Sequence, residues 1–288
     1  MRFVGRSGPK SALGALLRDP MGAMGLVLVA SFIVMAISAP LLAPFDPIKI
    51  DVAHKFQPPS MAHWAGTDQL GRDTLSRIIW GGRTALTIAL TATGLAGICG
   101  GLLGLIAGFG PRWLDAVLVL LFDSFSSLPM ILFALAVITI LGPGTGTLIL
   151  VILIVSIPGY ARLIRAQTLT LRGSDFVLAE RTIGASSLRI ILAHLLPNVI
   201  GPLMIILSMD IPVVIMLEAG LSYLNLGVRP PTPSWGNILY DGYTSLRFAP
   251  TMVIAAGIPL ILSTIGFTFL GEGLRDALDP TLKLRVPR

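Results

Sequence analysis

The chain has 288 residues, of which 54% are hydrophobic and 12% are charged, and its mean hydropathy is +0.84. Because soluble globular chains carry about twice that charged fraction, the composition excludes an ordinary soluble domain and indicates a membrane protein. The net charge of +6 does not indicate nucleic-acid binding, since the basic residues lie between apolar runs and form no single patch.

The N-terminal segment, residues 1–21, carries four basic residues ahead of the first apolar run. This arrangement resembles a secretory signal, with an acceptable cleavage triplet at Ala36-Ile37-Ser38. The apolar run, however, extends to Ala43, beyond the roughly 7–15 residues of a signal core. We therefore predict an uncleaved first transmembrane helix, preceded by a cytoplasmic segment.

Six apolar runs are long enough to cross a hydrocarbon layer about 30 Å thick. They are Gly22–Ala43, Thr84–Phe109, Leu114–Leu141, Thr145–Ala166, Val199–Leu221 and Thr251–Leu270. An even number of spans places both termini on the same side. With both termini in the cytoplasm, 14 of the 21 Lys and Arg residues lie on the cytoplasmic side, counting Arg162 and Arg165 near the cytoplasmic end of the fourth span, in agreement with the positive-inside rule. The sequence thus predicts an all-α polytopic membrane protein with cytoplasmic termini.

The spans and their connections form one transmembrane domain, residues 22–271, followed by a cytoplasmic tail, residues 272–288. Two long outer loops, residues 44–82 and 225–250, contain closely spaced prolines. Proline fixes φ and removes a donor, so we expect these loops to be stiff and partly non-helical. A cytoplasmic loop of residues 166–198 connects the fourth and fifth spans.

Glycines recur along the second span at three- and four-residue spacings between Gly94 and Gly108. In a membrane, small residues at this spacing let a neighbouring helix approach closely. A tightly packed helix interface is one interpretation of the pattern, and a glycine-lined pore wall is the other.

Three acidic residues lie within predicted spans, where charges are costly and indicate function by default. Asp123 belongs to the third span, and Asp210 and Glu218 share one face of the fifth. Each could line a wet pathway, anchor one helix to another through hydrogen bonds, or lie close enough to a membrane interface to stay hydrated. These interpretations stay open at this point.

Enzymatic chemistry has no sequence support. The histidines, His54, His63 and His194, and the single Cys99 do not build a recognisable metal-ligand set. No G-x-S-x-G arrangement is present, and no lysine follows a glycine, as a Walker A loop requires. We predict a non-catalytic chain that binds no cofactor or metal itself.

The cytoplasmic loop is polar but helix-forming. Ser174 or Asp175 can cap a short helix that Gly184 ends in a left-handed conformation. Ser186 or Ser187 can cap a second short helix, which we expect Pro197 to end. Two short helices joined at a glycine predict a rigid knob. The knob could dock onto a cytoplasmic partner or lie on lipid headgroups.

This loop resembles the EAA loop of the membrane subunits of bacterial ABC importers, whose pattern is E-A-A, three residues, Gly, nine residues and I-x-L-P. Ala179, Gly184 and the pair Leu196-Pro197 match that pattern. Leu178 stands at the usual glutamate, Glu180 at the second alanine, and His194 at the isoleucine. The resemblance therefore emphasises Gly184 and its flanking helices, and not a charge at position 178.

Three further stretches narrow the resemblance. Residues 64–73, WAGTDQLGRD, are similar to a GTDxxGRD segment; residues 226–236, LGVRPPTPSWG, to an LGxxPPxPSWG loop; and residues 271–280, GEGLRDALDP, to a GDGLRDxLDP tail. Together the four ordered motifs resemble the dipeptide/oligopeptide/nickel permease family of ABC importers, specifically its C-type permease subunit.

The resemblance implies a permease in the bacterial inner membrane, surrounded by lipid and paired with a homologous second permease. It also implies an extracytoplasmic binding protein and two ATPase subunits, which bind ATP and Mg. Short peptides are the implied substrate, with nickel chelates, opines or glutathione as alternatives. A stand-alone channel or secondary transporter is the alternative of a different class, and it would predict paired intramembrane charges or inverted repeats.

The resemblance also assigns residues to two surfaces. The ATPase-coupling residues would be Phe176, Ala179, Glu180, Arg181, Gly184, Ala185, Ser186, His194 and Pro197. The residues facing the binding protein would be Asp68, Arg72, Asp73, Arg229 and Trp235.

Overall fold

The computed structural model describes residues 12–278, which are helical apart from connecting loops and one isolated β-bridge. The α-helices are α1 Ala12–Leu16, α2 Pro20–Ile37, α3 Ala39–Leu42, α4 Thr74–Phe109, α5 Arg112–Ser126, α6 Met130–Leu141, α7 Thr145–Arg172, α8 Asp175–Thr182, α9 Ser187–Ile190, α10 Leu196–Tyr223, α11 Trp235–Thr244 and α12 Thr251–Leu278. A 3₁₀ turn covers Val52–His54, and a π-helical turn covers Ile191–Leu195. The expectations for residues 1–11 and 279–288 lie outside the described residues.

Five helical runs are long and apolar enough to cross a membrane: α2, α4, α7, the continuous run Ser187–Tyr223, and α12. Helices α5 and α6 supply a sixth crossing if the bent pair counts as one span. The predicted six-span helical architecture is confirmed. The side on which the termini lie stays a prediction, and "outer" and "cytoplasmic" below refer to that predicted orientation.

The third span differs from the continuous helix expected over Leu114–Leu141. It is broken between Ser126 and Met130, and its halves meet at 86°. Pro129 explains the position of the break, because proline lacks an amide donor and pushes the preceding residue out of the helical region. Polar Ser126 and Ser127 precede it, and the Ser127 hydroxyl bonds to the Ser124 carbonyl at 2.7 Å.

The second short helix also differs from its prediction, because Pro197 does not end it. Helix α9 leads through the π-helical turn into α10, so that one helical run extends from Ser187 to Tyr223. A proline in an ordinary α-helix clashes with the carbonyl four residues earlier, and the wider π turn just before Pro197 relieves that conflict. The cytoplasmic loop is therefore fused to the fifth span.

Three glycines of α4, Gly100, Gly104 and Gly108, pack against α7. A Cβ atom at Gly104 would lie 2.5 Å from the Ala161 carbonyl oxygen, and one at Gly100 would lie 2.9 Å from the Ile157 carbonyl oxygen. Only glycine permits backbones to approach this closely. The glycine pattern thus marks a helix interface and not a pore wall.

Candidate functional site

The cytoplasmic knob, residues 174–195, has the helix–glycine–helix form that the sequence predicts. Gly184 adopts φ +81°, a left-handed conformation that glycine reaches without strain. Ser186 caps the second helix, because its Oγ accepts a hydrogen bond from the Arg189 amide at 3.3 Å. The chain therefore turns sharply at the tip and returns to the membrane.

The side of the knob that faces the spans is packed against the cytoplasmic ends of α4 and α7. Val177 is fully buried in a small core that includes Phe109 and Ile164, together with residues of α9 and α10. Burying apolar side chains of this size is worth roughly 1.5–3 kcal/mol each. The base of the knob is thus held firmly to two spans.

Two arginines reinforce this base through the Phe109 ring. The Arg181 guanidinium lies 4.9 Å from the centroid of the Phe109 ring, and the Arg172 guanidinium lies 5.9 Å from the same centroid. Arg172 also donates to the Gly108 and Gly110 carbonyl oxygens at 3.4 and 3.3 Å, at the end of α4. Arg181, assigned to ATPase coupling by resemblance, thus has an intramolecular contact.

Glu180 and His194 tie α8 to the π-helical turn. Glu180 Oε1 lies 3.2 Å from His194 Nε2, and the His194 ring lies 6.2 Å from the Phe176 ring. Glu180 Oε2 is buried and, among the described residues, has no hydrogen-bond partner. Sequence reasoning missed this pair, although both members are departures from the EAA pattern, and that coincidence was the available signal.

The side of the knob that faces away from the spans is apolar and exposed. Ile183, next to Gly184, is 76% exposed, and a Cβ atom at Gly184 would meet nothing within 4 Å. Other large apolar side chains share this exposure: Phe176, Leu178, Leu188 and Leu192. Ala179, Ser186 and Pro197 are also exposed, whereas Ala185 packs partly against the small core. An apolar tip on a firmly packed base is suited to docking.

Glu218 is an anchor between α10 and the second outer loop. Its side chain is fully buried, and its Oε1 accepts a hydrogen bond from Ser222 Oγ at 2.7 Å. Ser222 Oγ in turn accepts from the Val228 amide at 3.0 Å. The buried Glu218 side chain thus positions the loop backbone, and its other oxygen, Oε2, has no hydrogen-bond partner among the described residues.

Asp210 and Asp123 have less enclosed surroundings. Asp210 is half-buried and lies near Tyr160 of α7, whose buried hydroxyl has no hydrogen-bond partner among the described residues. Asp123 Oδ1 lies 3.1 Å from Arg162 Nη1, and both side chains are exposed. The sequence did not identify Asp115, which accepts a bidentate pair of hydrogen bonds from Arg165, at 2.5 and 2.8 Å. This pair lies nearer the cytoplasmic ends of α5 and α7.

The first outer loop contains a buried charge network rather than a charged surface. The Arg72 Nε donates to Asp68 Oδ2 at 2.6 Å, and Arg77 donates to the same oxygen. Arg77 Nη1 also donates to Asp241 Oδ2 of α11 at 3.1 Å. Asp73 caps α4 by accepting from the Ser76 amide at 2.7 Å. The network fastens the first outer loop to the second.

The expectation that Asp68, Arg72, Asp73 and Trp235 face a binding protein is corrected, because all four side chains are buried within this chain. Trp235 Nε1 donates to the Ile78 carbonyl oxygen at 2.9 Å, and its ring meets the edge of Phe32 at 5.9 Å. Arg229 is exposed, and its contact with a binding protein stays a prediction.

A cleft of about 600 Å³ opens between the two outer loops. Prolines, Phe45 and Trp80 form most of its walls. Across residues 12–278, no group of three or more His, Cys, Asp or Glu side chains is arranged to hold a metal ion.

Known proteins resemble this chain over most of its length. The family model described as the binding-protein-dependent transport system inner membrane component matches residues 100–284, and the one described as the N-terminal TM domain of oligopeptide transport permease C matches residues 10–59. The dipeptide transport system permease protein DppC of Alkalihalophilus pseudofirmus is 37% identical over 274 residues, covering 95% of this chain and 90% of that protein.

Two other proteins extend the comparison. The di/tripeptide transport system permease protein DppC of Pseudomonas aeruginosa is 40% identical over 269 residues, covering 91% of this chain and 89% of that protein. A solved structure of the MetNI methionine ABC transporter, in an inward-facing conformation, aligns with a TM-score of 0.58 at 17% identity, covering 70% of this chain and 96% of that one. This last likeness shows the fold. The chain therefore belongs to the family of inner-membrane components of binding-protein-dependent transport systems, as a C-type permease of the dipeptide and oligopeptide branch.

Proposed function

We propose that this permease forms half of the translocation pathway of an ATP-driven importer of short peptides, and that its knob docks onto an ATPase subunit. The observation that carries the proposal is the exposed apolar tip around Ile183 and Gly184 on a base packed against α4 and α7. A surface of this kind, on the predicted cytoplasmic side, is suited to a protein partner.

The knob is joined to the spans in a way that suits transmission of force. Only two residues, Gly173 and Ser174, separate the end of α7 from the start of α8, and α9 continues through the π-helical turn into α10. A displacement of the tip would therefore move the fourth and fifth spans as a rigid body. Such movements underlie transitions between states of opposite access.

The other subunits follow from the family. A homologous second permease would complete the pathway, two ATPase subunits would bind ATP and Mg, and a binding protein would deliver solute to the outer loops. The names of the relatives from A. pseudofirmus and P. aeruginosa support peptides as the substrate. Nickel chelates, opines or glutathione would use the same machine and are alternative outcomes of a transport assay.

Substitutions at the tip test the docking step. We expect Gly184→Arg and Ile183→Arg to insert normally in the membrane but to lose the ATPase subunits during purification, because a large cation would occupy the apolar contact. Met61→Arg is the matched control, since Met61 is 95% exposed on the first outer loop, away from the knob. Retention of the ATPase by both tip variants at the level of the control would refute docking at this surface.

A further inference from the structure

Asp123 and Arg162 carry exposed charges within predicted spans. Asp123 is 62% exposed and Arg162 is 43% exposed, and both lie deeper in their spans than the Asp115–Arg165 pair. Arg162 uses Nη1 for Asp123 and Nη2 for Ser126 Oγ, at 2.7 Å. A guanidinium has five donors and a carboxylate about four acceptor sites, so most of their capacity is left without a protein partner within this chain.

Neighbouring hydroxyl groups, unlike this charged pair, need no hydrogen-bond partner outside the chain. Ser124 donates to the Leu120 carbonyl at 2.7 Å, and Thr139 donates to the Leu135 carbonyl at 2.7 Å. Hydroxyls bonded within their own helix are compatible with lipid. The Asp123–Arg162 pair, in contrast, carries largely exposed charge and requires a wet or polar neighbour.

The break between α5 and α6 points to the same surface independently. Residues 127–129 are all exposed, and they form a non-helical turn between α5 and α6. Non-helical backbone at membrane depth is tolerated where protein buries it or where it lines a water-filled cavity, but not against lipid. This chain does not bury the break, and two exposed charges lie beside it, so a water-filled cavity would accommodate both observations.

We propose that the α5–α6 break and the Asp123–Arg162 pair form this chain's wet wall of the translocation pathway, where the two charges contact the charged ends of a passing peptide. The assignment rests on the proposed function and adds to it the pathway-facing surface. A carboxylate of the peptide would meet Arg162 in a charge-assisted pair, and its ammonium group would meet Asp123. Both contacts remain hydrated, so the peptide is not trapped.

Labelling of an introduced cysteine tests the wet wall without reference to the substrate. Cys99 is the single cysteine of the chain, so Cys99→Ser gives a cysteine-free background. In the complete transporter, Ser127→Cys on this background should react with the charged, water-soluble reagent 2-sulfonatoethyl methanethiosulfonate. Ile261→Cys is the control, because Ile261 is 60% exposed on an apolar face of α12. We expect labelling of position 127 and none of position 261.

Failure of labelling would overturn the wet wall. If Ser127→Cys stays unmodified without nucleotide, with ATP and with ATP plus vanadate, yet reacts after denaturation, then lipid or the second permease covers this surface. If it is labelled while the wild-type transporter imports no trialanine, the wet wall stands and the proposed peptide import is refuted. The two failures are therefore distinguishable.

Arg162 is tested by transport at saturating, trialanine-loaded binding protein. We expect Arg162→Gln to lower the uptake rate about tenfold, consistent with loss of one charge-assisted contact, while the half-saturating concentration of binding protein stays unchanged. Arg162→Lys should restore part of the rate. An Arg162→Gln transporter with the wild-type uptake rate, or one whose rate falls together with its melting temperature, would contradict a role in the pathway.

Discussion

At the scale of single residues, the knob shows how two departures from a family pattern can compensate for each other. Glu180 stands where the EAA pattern has alanine, and His194 stands where it has isoleucine. The structure places these two side chains 3.2 Å apart. The pair places a polar contact at two positions where the pattern has apolar residues, and it ties α8 to the π-helical turn.

This compensation predicts a non-additive mutant cycle. His194→Ile alone should destabilise the protein by about 1–3 kcal/mol, because it leaves the half-buried Glu180 carboxylate without its partner. Glu180→Ala combined with His194→Ile, which restores both residues of the pattern, should recover most of that loss. Thermal unfolding of the purified protein in detergent measures both effects. Strictly additive losses would show that the pair is not coupled.

Sequence reasoning at this scale succeeded where conformation is local and failed where contact is distant. Gly184 was predicted from the left-handed position that only glycine favours, and the structure has φ +81° there. Trp235 was predicted to face a partner, but its indole bonds to Ile78, which lies far away in the chain. Burial of that kind depends on packing between elements and cannot be identified from the composition of a loop.

At the scale of elements, the seam between α4 and α7 fixes the spacing of two central spans. Gly100, Gly104 and Gly108 of α4 all lie against α7. The three- and four-residue spacing indicated a close helix contact, but the partner helix could not be derived, because small residues do not specify what approaches them.

The seam yields a matched pair of substitutions on one helix. Gly104→Ala should lower stability by about 1–3 kcal/mol, since the added Cβ would lie 2.5 Å from the Ala161 carbonyl oxygen and force the helices apart. Gly94→Ala should be neutral or slightly stabilising, because nothing lies within 4 Å of its Cβ. Melting temperatures in detergent test the contrast. Equal effects at both positions would contradict the packing described for α4 and α7.

Two elements departed from prediction because of prolines. Pro129 was overlooked within an apolar run and breaks the third span, whereas Pro197 was expected to end a helix and is accommodated by a π-helical turn. Hydropathy reports length and apolarity but not backbone continuity. A proline therefore signals a perturbation whose form, whether a break or a bulge, is decided by the packing around it.

At the scale of the whole molecule, the sequence predicted six helical spans and the relation to ABC importer permeases, and both are confirmed. It did not predict that residues of the outer-loop motifs form ion pairs within the chain, in which Asp68, Arg77 and Asp241 join the two outer loops. The exposed surfaces of the described residues include the apolar tip of the knob, the proline-lined cleft and the α5–α6 break. We assign these three to partners, solute and water.

The central claim is that this permease conducts solute only as part of an ATP-driven assembly. The most direct measurement is uptake of radiolabelled trialanine by proteoliposomes that contain either this chain alone or the chain with its second permease, ATPase subunits and binding protein. We predict uptake only with the complete assembly and ATP. Uptake by the chain alone, or uptake by the complete assembly without ATP, would contradict the claim and favour a stand-alone channel or secondary transporter.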